Sequence, residues 1–142
     1  MRLAFVVEYD GSRYSGFQWQ SNGLTIQDEL EKALRKLTGE NLRIVAASRT
    51  DSSVHAEGQV VSFLTSSSLS LETFKAAVNF YLPQDISVIR STRVKKEFNP
   101  RKDAVSRCYR YTILNSNVRS PLREGFSHRI SQYIDVDAMK DA

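Results

Sequence analysis

The order of elements along this chain predicts an α+β fold of the ferredoxin-like, RRM-like kind: β-α-β-β-α-β, an antiparallel sheet with both helices on one face. Three observations point there. Four runs rich in β-branched and other apolar residues, at 2–9, 42–46, 59–64 and 86–94, read as strands. Two stretches with apolar residues at helical spacing lie in the first and third gaps between them. Turn-forming residues separate the elements.

Taken in order, residues 2–9 form the first strand and Asp10-Gly11-Ser12 ends it. The stretch through Gly23 reads as a loop, with Gly16, Asn22 and Gly23 among aromatics. Thr25 is placed to cap a helix, with Asp28 three residues on, and Ile26, Leu30, Ala33, Leu34 and Leu37 make its apolar stripe. Gly39 stops it. Ser70 caps a second helix containing Phe74, Ala77 and Val78, which Leu82-Pro83-Gln84-Asp85 breaks. A fifth strand is expected at 106–114, extending the sheet, with Tyr109 and Tyr111 on one face and Arg110 on the other. Residues 130–142 begin like a capped helix at Asp135-Val136-Asp137, so the chain reads as ending inside an element that continues.

The length of 142 residues suits one domain, and 41% hydrophobic content allows a real core. The sequence has no apolar stretch of membrane-spanning length and no signal-peptide pattern, so a cytoplasmic protein is expected. Cys108 is the single cysteine, which leaves no intrachain disulfide. Charge is unevenly spread. Residues 90–129 hold eleven Lys or Arg against three acids, a net of +8, whereas the rest holds nine against thirteen, a net of −4. Such a split fits a polyanionic partner such as nucleic acid. Arg101, Lys102, Arg107 and Arg110 are the candidates for phosphate contacts, which position RNA without reading its sequence.

The run Ala47-Ser48-Arg49-Thr50-Asp51-Ser52-Ser53-Val54-His55-Ala56 puts an arginine, an aspartate and a histidine on the loop before the third strand. Loops held by a rigid scaffold are where catalytic groups concentrate. Asp51 is the candidate nucleophile, since carboxylates are anionic at neutral pH and need no base to attack. Arg49 has two possible tasks, orienting that carboxylate and binding phosphate. His55 reads as a hydrogen-bonding loop residue or an RNA contact; one Asp and one His are too few ligands for a metal site, and none is expected. Tyr14, Phe17 and Trp19 are open both to stacking on RNA and to core packing.

Five separated motifs carry a family resemblance. Glu8-Tyr9-Asp10-Gly11-Ser12-Arg13-Tyr14-Ser15-Gly16-Phe17-Gln18 is similar to the N-terminal signature of the tRNA pseudouridine synthase A family. Arg49-Thr50-Asp51, with Val54-His55-Ala56 and Gly58-Gln59-Val60, resembles its catalytic motif. Val78-Asn79 with Leu82-Pro83, then Phe98-Asn99-Pro100-Arg101, then Tyr109-Arg110-Tyr111 follow in the family's order. The likeness spans the whole chain and matches about the N-terminal half of the family's usual length. It implies a pseudouridine synthase fold and isomerisation of uridine in the tRNA anticodon stem-loop, with no metal and no organic cofactor. It implies Asp51, Arg49 and Tyr109 as catalytic residues, with Tyr14, Gln18, His55 and Gln59 joining the basic residues on the RNA side. It also implies a homodimer in the complete protein, and little activity from these 142 residues alone.

Ser48, Ser52 and Ser53 stand where the family pattern has Gly before Arg-Thr-Asp and Ala-Gly after it. A serine at position 53 is expected to strain the loop. Two other classes fit the same pattern: a ferredoxin-like RNA-binding module without catalysis, and a partner-binding domain with no RNA role.

Overall fold

A computed structural model describes residues 1–141 of the chain. It comprises two compact units, Met1–Val105 and Ser106–Ala142.

The first unit holds β1 (Arg2–Tyr9), α1 (Ile26–Thr38), β2 (Val45–Ala46), β3 (Ala56–Leu64), α2 (Leu71–Tyr81) and β4 (Ile86–Val94). Its sheet runs β2-β3-β1-β4, with every neighbouring pair antiparallel. Strand alternation turns Leu3, Phe5, Val7 and Tyr9 to one face. The register sets Phe63 opposite Leu3 and Val61 opposite Phe5, which sends them to the same side. Ile26, Leu30, Ala33 and Leu34 of α1 and Phe74 and Val78 of α2 complete a single buried cluster there. Phe5, Phe63 and Phe74 form its centre: the Phe5–Phe63 rings meet edge-on at 4.9 Å, and Phe74 lies 6.5 Å and 6.3 Å from the two. Such aromatic pairs add roughly 0.5–1.5 kcal/mol each beyond area burial.

The helix ends follow local chemistry. The Thr25 side chain accepts from the Asp28 N–H, and Gly39 takes the left-handed conformation beyond α1. Ser70 accepts from the Thr73 N–H to start α2, and Leu82, extended before Pro83, ends it. Asn79 reaches from α2 to β4, where its amide accepts from the Val88 N–H (2.7 Å) and donates to the Val88 carbonyl (2.9 Å). A side chain thus satisfies backbone groups of an edge strand where its pairing with β1 bulges.

Three expectations shift. The second strand is only Val45–Ala46 rather than 42–46, because the Ile44 N–H goes to the Glu31 carboxylate (3.0 Å) instead of a ladder. The third begins at Ala56 rather than 59, since Tyr9 pairs with Ala56 past a bulge. The expected fifth strand at 106–114 does not form as read. In the second unit β5 is Ile113–Asn115, and it pairs in parallel with an unforeseen β6, His128–Ile130, in a separate two-stranded sheet. Residues 106–112 offer no apolar face to bury: Arg107, Tyr109, Arg110 and Tyr111 are all exposed. Tyr109 and Arg110 therefore do not lie on opposite faces of a strand. The expected helix start is present as α3 (Val136–Asp141), its first N–H groups received by the Asp135 carboxylate. Ala142, the last residue of that expected segment, lies outside the described residues.

Glu40, just past α1, takes hydrogen bonds from Thr65 Oγ1 (3.0 Å), Ser66 Oγ (2.8 Å) and the Ser66 N–H (3.2 Å). Burial pushes its pKa up, but the donors of Ser66 and Thr65 outweigh that and hold it below the ordinary value. A depressed folded-state pKa gives stability that is present above the unfolded-state value and lost as pH falls toward the folded one. Glu40→Gln should therefore lower stability near neutrality. It should also flatten the acid limb of a stability–pH curve measured by urea unfolding; an unchanged limb would show that Glu40 is not the group responsible.

Candidate active site

The loop from Ala47 to His55 joins β2 to β3 and is braced from below. Ala47 N–H donates to the Val60 carbonyl (2.8 Å). Ser48 N–H donates to Gln59 Oε1 (3.2 Å) and Gln59 Nε2 donates back to the Ser48 carbonyl (2.8 Å). Thr50 Oγ1 shares a 2.8 Å hydrogen bond with the Tyr9 hydroxyl, and the Thr50 carbonyl accepts from the Phe17 N–H (2.9 Å). The Tyr14 carbonyl accepts from the Ser53 N–H (3.3 Å) and Ser52 Oγ (3.2 Å). Two glycines let the 11–24 loop come this close. A Cβ on Gly16, at φ 108°, would sit 2.9 Å from the Thr50 carbonyl oxygen, and one on Gly11 would overlap the Val54 carbonyl.

At the turn of this braced loop the Asp51 side chain is exposed. Among the described residues no ion pair joins Asp51 to Arg49, so the guanidinium does not orient the carboxylate in this conformation. Arg49 instead lines a hollow of about 220 Å³. Phe17, Ile44, Val45 and Ala46 give that hollow apolar walls, and Gln18, Gln27, Arg49 and Arg101 give it polar ones. Three residues expected at the site (Gln18, Arg49 and Arg101) thus converge, while Asp51 itself is not among the lining residues. Gln27 is engaged locally, accepting from the Trp19 N–H and donating to Glu31. Arg101 is presented by a tight turn in which Asn99 Oδ1 accepts from the Arg101 N–H (3.0 Å) and Asp103 receives the Asn99 N–H (2.9 Å). Lys102 follows it, exposed.

Two sequence expectations need correcting. Tyr14 is buried, 3% exposed, and its hydroxyl donates to Asp85 (2.6 Å), whose other oxygen meets Arg13. Burial and the Asp85 carboxylate push that hydroxyl far above the ordinary tyrosine pKa. A ring enclosed in this way has no face for stacking on RNA. Gln59 is likewise buried, with both ends of its amide held by Ser48, so in this structure it braces the loop. Phe17 is buried in the core as well, whereas Trp19 is half exposed. His55 is partly exposed, with Nδ1 3.0 Å from Asp10 Oδ1. Tyr109, Arg107 and Arg110 belong to the Ser106–Ala142 unit. Among the described residues no cluster of three or more His, Cys, Asp or Glu is placed to hold a metal, and no helix is long and apolar enough to cross a membrane.

Sequence reasoning missed Tyr9, Thr50 and Asp10 as supports of the loop. The signal for Tyr9 was available: it is the last member of the Leu3, Phe5, Val7 face, so its hydroxyl must emerge at the end of the core.

A family model described as tRNA pseudouridine synthase matches residues 5–103, a span that holds all but the first residues of the four-stranded sheet, both its helices and the Asp51 loop. The chain belongs to the tRNA pseudouridine synthase family. Within it, the chain is 46% identical over 138 residues to tRNA pseudouridine synthase A of Pelobacter propionicus, a match covering 97% of this chain and 57% of that protein. It is 42% identical over 141 residues to tRNA pseudouridine synthase A of Syntrophomonas wolfei, covering 99% and 57%. To tRNA pseudouridine synthase A 2 of Clostridium perfringens it is 40% identical over 140 residues, again covering 99% and 57%. The chain thus spans little more than half the length of these curated relatives.

Ser53 has φ 64° and is, among the described residues, the one non-glycine in the left-handed region. The strain expected from a serine at this position is therefore present in the backbone. A left-handed L-residue costs about 1–2 kcal/mol, partly offset by the roughly 0.5–1 kcal/mol that glycine loses in chain entropy. Ser53→Gly should raise stability by about 0.5–1 kcal/mol in urea unfolding. A lower midpoint for the glycine variant would show that the serine is unstrained.

Proposed function

We propose that this chain is the carboxylate-bearing half of a tRNA pseudouridine synthase that isomerises uridine to pseudouridine in the anticodon stem-loop, with Asp51 as the nucleophile. The observation that carries the reading is the exposed Asp51 side chain on a loop whose neighbouring groups are tied down to Tyr9, Tyr14, Phe17 and Gln59. Family membership supports the reaction, and the β2-β3-β1-β4 order, with both helices packed on the Phe5 face, supports a ferredoxin-like scaffold.

The reaction breaks the N1–C1′ bond, turns the uracil and joins C1′ to C5, with the C5 proton lost and N1 protonated. A carboxylate can promote it by attacking C1′, by adding to C6, or by taking a proton from the sugar. The target base must leave its stack first, so the carboxylate has to face solvent rather than the core. Arg49 and Arg101 supply cationic groups beside the loop for the RNA backbone, and Lys102, Arg107 and Arg110 are read as further phosphate contacts. Tyr109 is read as the ring that holds the detached uracil. The complete protein is read as a cytoplasmic homodimer that needs no cofactor.

In the complete protein, Asp51→Asn should lower pseudouridine formation on anticodon stem-loop RNA at least about a thousandfold while leaving RNA affinity nearly unchanged. Arg101→Gln should weaken binding and reduce the slope of log K against log salt by about one. Pseudouridine formation by the Asp51→Asn protein at the normal rate would overturn the reading.

A further inference from the structure

The ascending arm of the Asp51 loop is fixed by Gln59 and Tyr9, and on the descending arm the Tyr14 carbonyl holds Ser52 and Ser53; the foot of that arm has a further tie. Asp10 follows β1 and His55 precedes β3, and the Tyr9–Ala56 pairing brings these ends side by side. His55 Nδ1 lies 3.0 Å from Asp10 Oδ1 and 3.3 Å from the Gly11 nitrogen. One nitrogen cannot donate to the carboxylate and accept from the amide at once. We assign the hydrogen to Nδ1, the tautomer that serves the shorter contact, to the carboxylate. Asp10 Oδ1 is itself held in place by Ser12 Oγ (2.6 Å) and the Ser12 N–H (2.9 Å), and the Asp10 N–H is tied to the Asp85 carbonyl (2.9 Å). The Ser12 hydrogen bonds, aided by His55, keep the Asp10 carboxyl below its ordinary pKa, so the acceptor is anionic.

We propose that His55, clasped by Asp10, is a positioning residue that fixes the descending arm of the loop and so the direction in which Asp51 presents its carboxylate. The proposal rests on the reading of Asp51 as the nucleophile. The side chains of the pair are 32% and 43% exposed. A contact this exposed does little for the global fold. Its leverage is geometric: it acts four residues from the reacting group, and a misplacement of about 1 Å at a catalytic group can lower a rate about a hundredfold. This differs from an RNA contact at His55, which would act on binding.

The test is steady-state kinetics of the complete protein on anticodon stem-loop RNA, with separate binding measurements, for His55→Ala, His55→Gln, His55→Asn and Asp10→Ala. Asparagine can put its amide nitrogen near the place of Nδ1 and still donate to Asp10; glutamine puts its amide near Nε2 and cannot. His55→Ala, His55→Gln and Asp10→Ala should lower kcat ten- to a hundredfold with KM and Kd within twofold, and His55→Asn should recover most of the loss. If His55→Ala does not fold, the contrast between the Asn and Gln variants decides alone. Full kcat in His55→Ala, a raised KM with unchanged kcat, or an Asn variant no better than Gln would overturn the proposal. Asp51→Asn, run alongside, separates the two readings. If it stays active, the nucleophile assignment fails; if it is dead while His55→Ala is fully active, only the clasp fails.

Discussion

With Val7 opposite Gln59 and Leu3 opposite Phe63, the pairing of β1 with β3 decides which side chains meet the helices and which brace the loop. It sends Phe63 and Val61 into the aromatic centre and leaves Gln59 at the end of the same face, where the core gives way to Ser48. A slip of one residue would turn Phe63 away from the helices and point Ser62 and Leu64 at them instead. It would also withdraw the amide that holds the start of the Asp51 loop. Core packing and site geometry are therefore consequences of one register.

An exposed carboxylate contributes little to folding, and a loop that carries it must get its order from elsewhere. Here the order comes from groups that face inward: the Tyr9 hydroxyl on Thr50, the Tyr14 carbonyl on Ser52 and Ser53, and the Gln59 amide on Ser48. The left-handed serine at 53 is a local cost borne by this bracing. Tyr14 shows how completely an aromatic in a signature motif can be absorbed into support: its ring is enclosed, its hydroxyl is held by Asp85, and its carbonyl is beneath the loop.

Positive charge is concentrated in residues 90–129, most of it after β4 in the sequence. The Asn99 turn converts part of that charge into a fixed feature by setting Arg101 beside the hollow that Arg49 also lines. Two arginines beside Phe17, Ile44 and Val45 combine a cationic wall with an apolar one.

The sequence alone determined what local chemistry controls. Thr25, Gly39, Ser70 and Pro83 bound the two long helices, β-branched and other apolar residues marked the first and fourth strands, and five separated motifs, the Arg49-Thr50-Asp51 run among them, identified the loop and the family. It did not reveal that Gln59 and Tyr14 are supports, that Arg49 leaves Asp51 for a hollow shared with Arg101, or that residues 106–112 form no strand. Each of these depends on partners far away in the chain: Asp85 for Tyr14, the turn at Asn99 for the hollow, and residues 128–130 for β5. Caps and periodicity act over a few residues and are written in them, whereas burial and pairing belong to a residue only once the chain has folded around it.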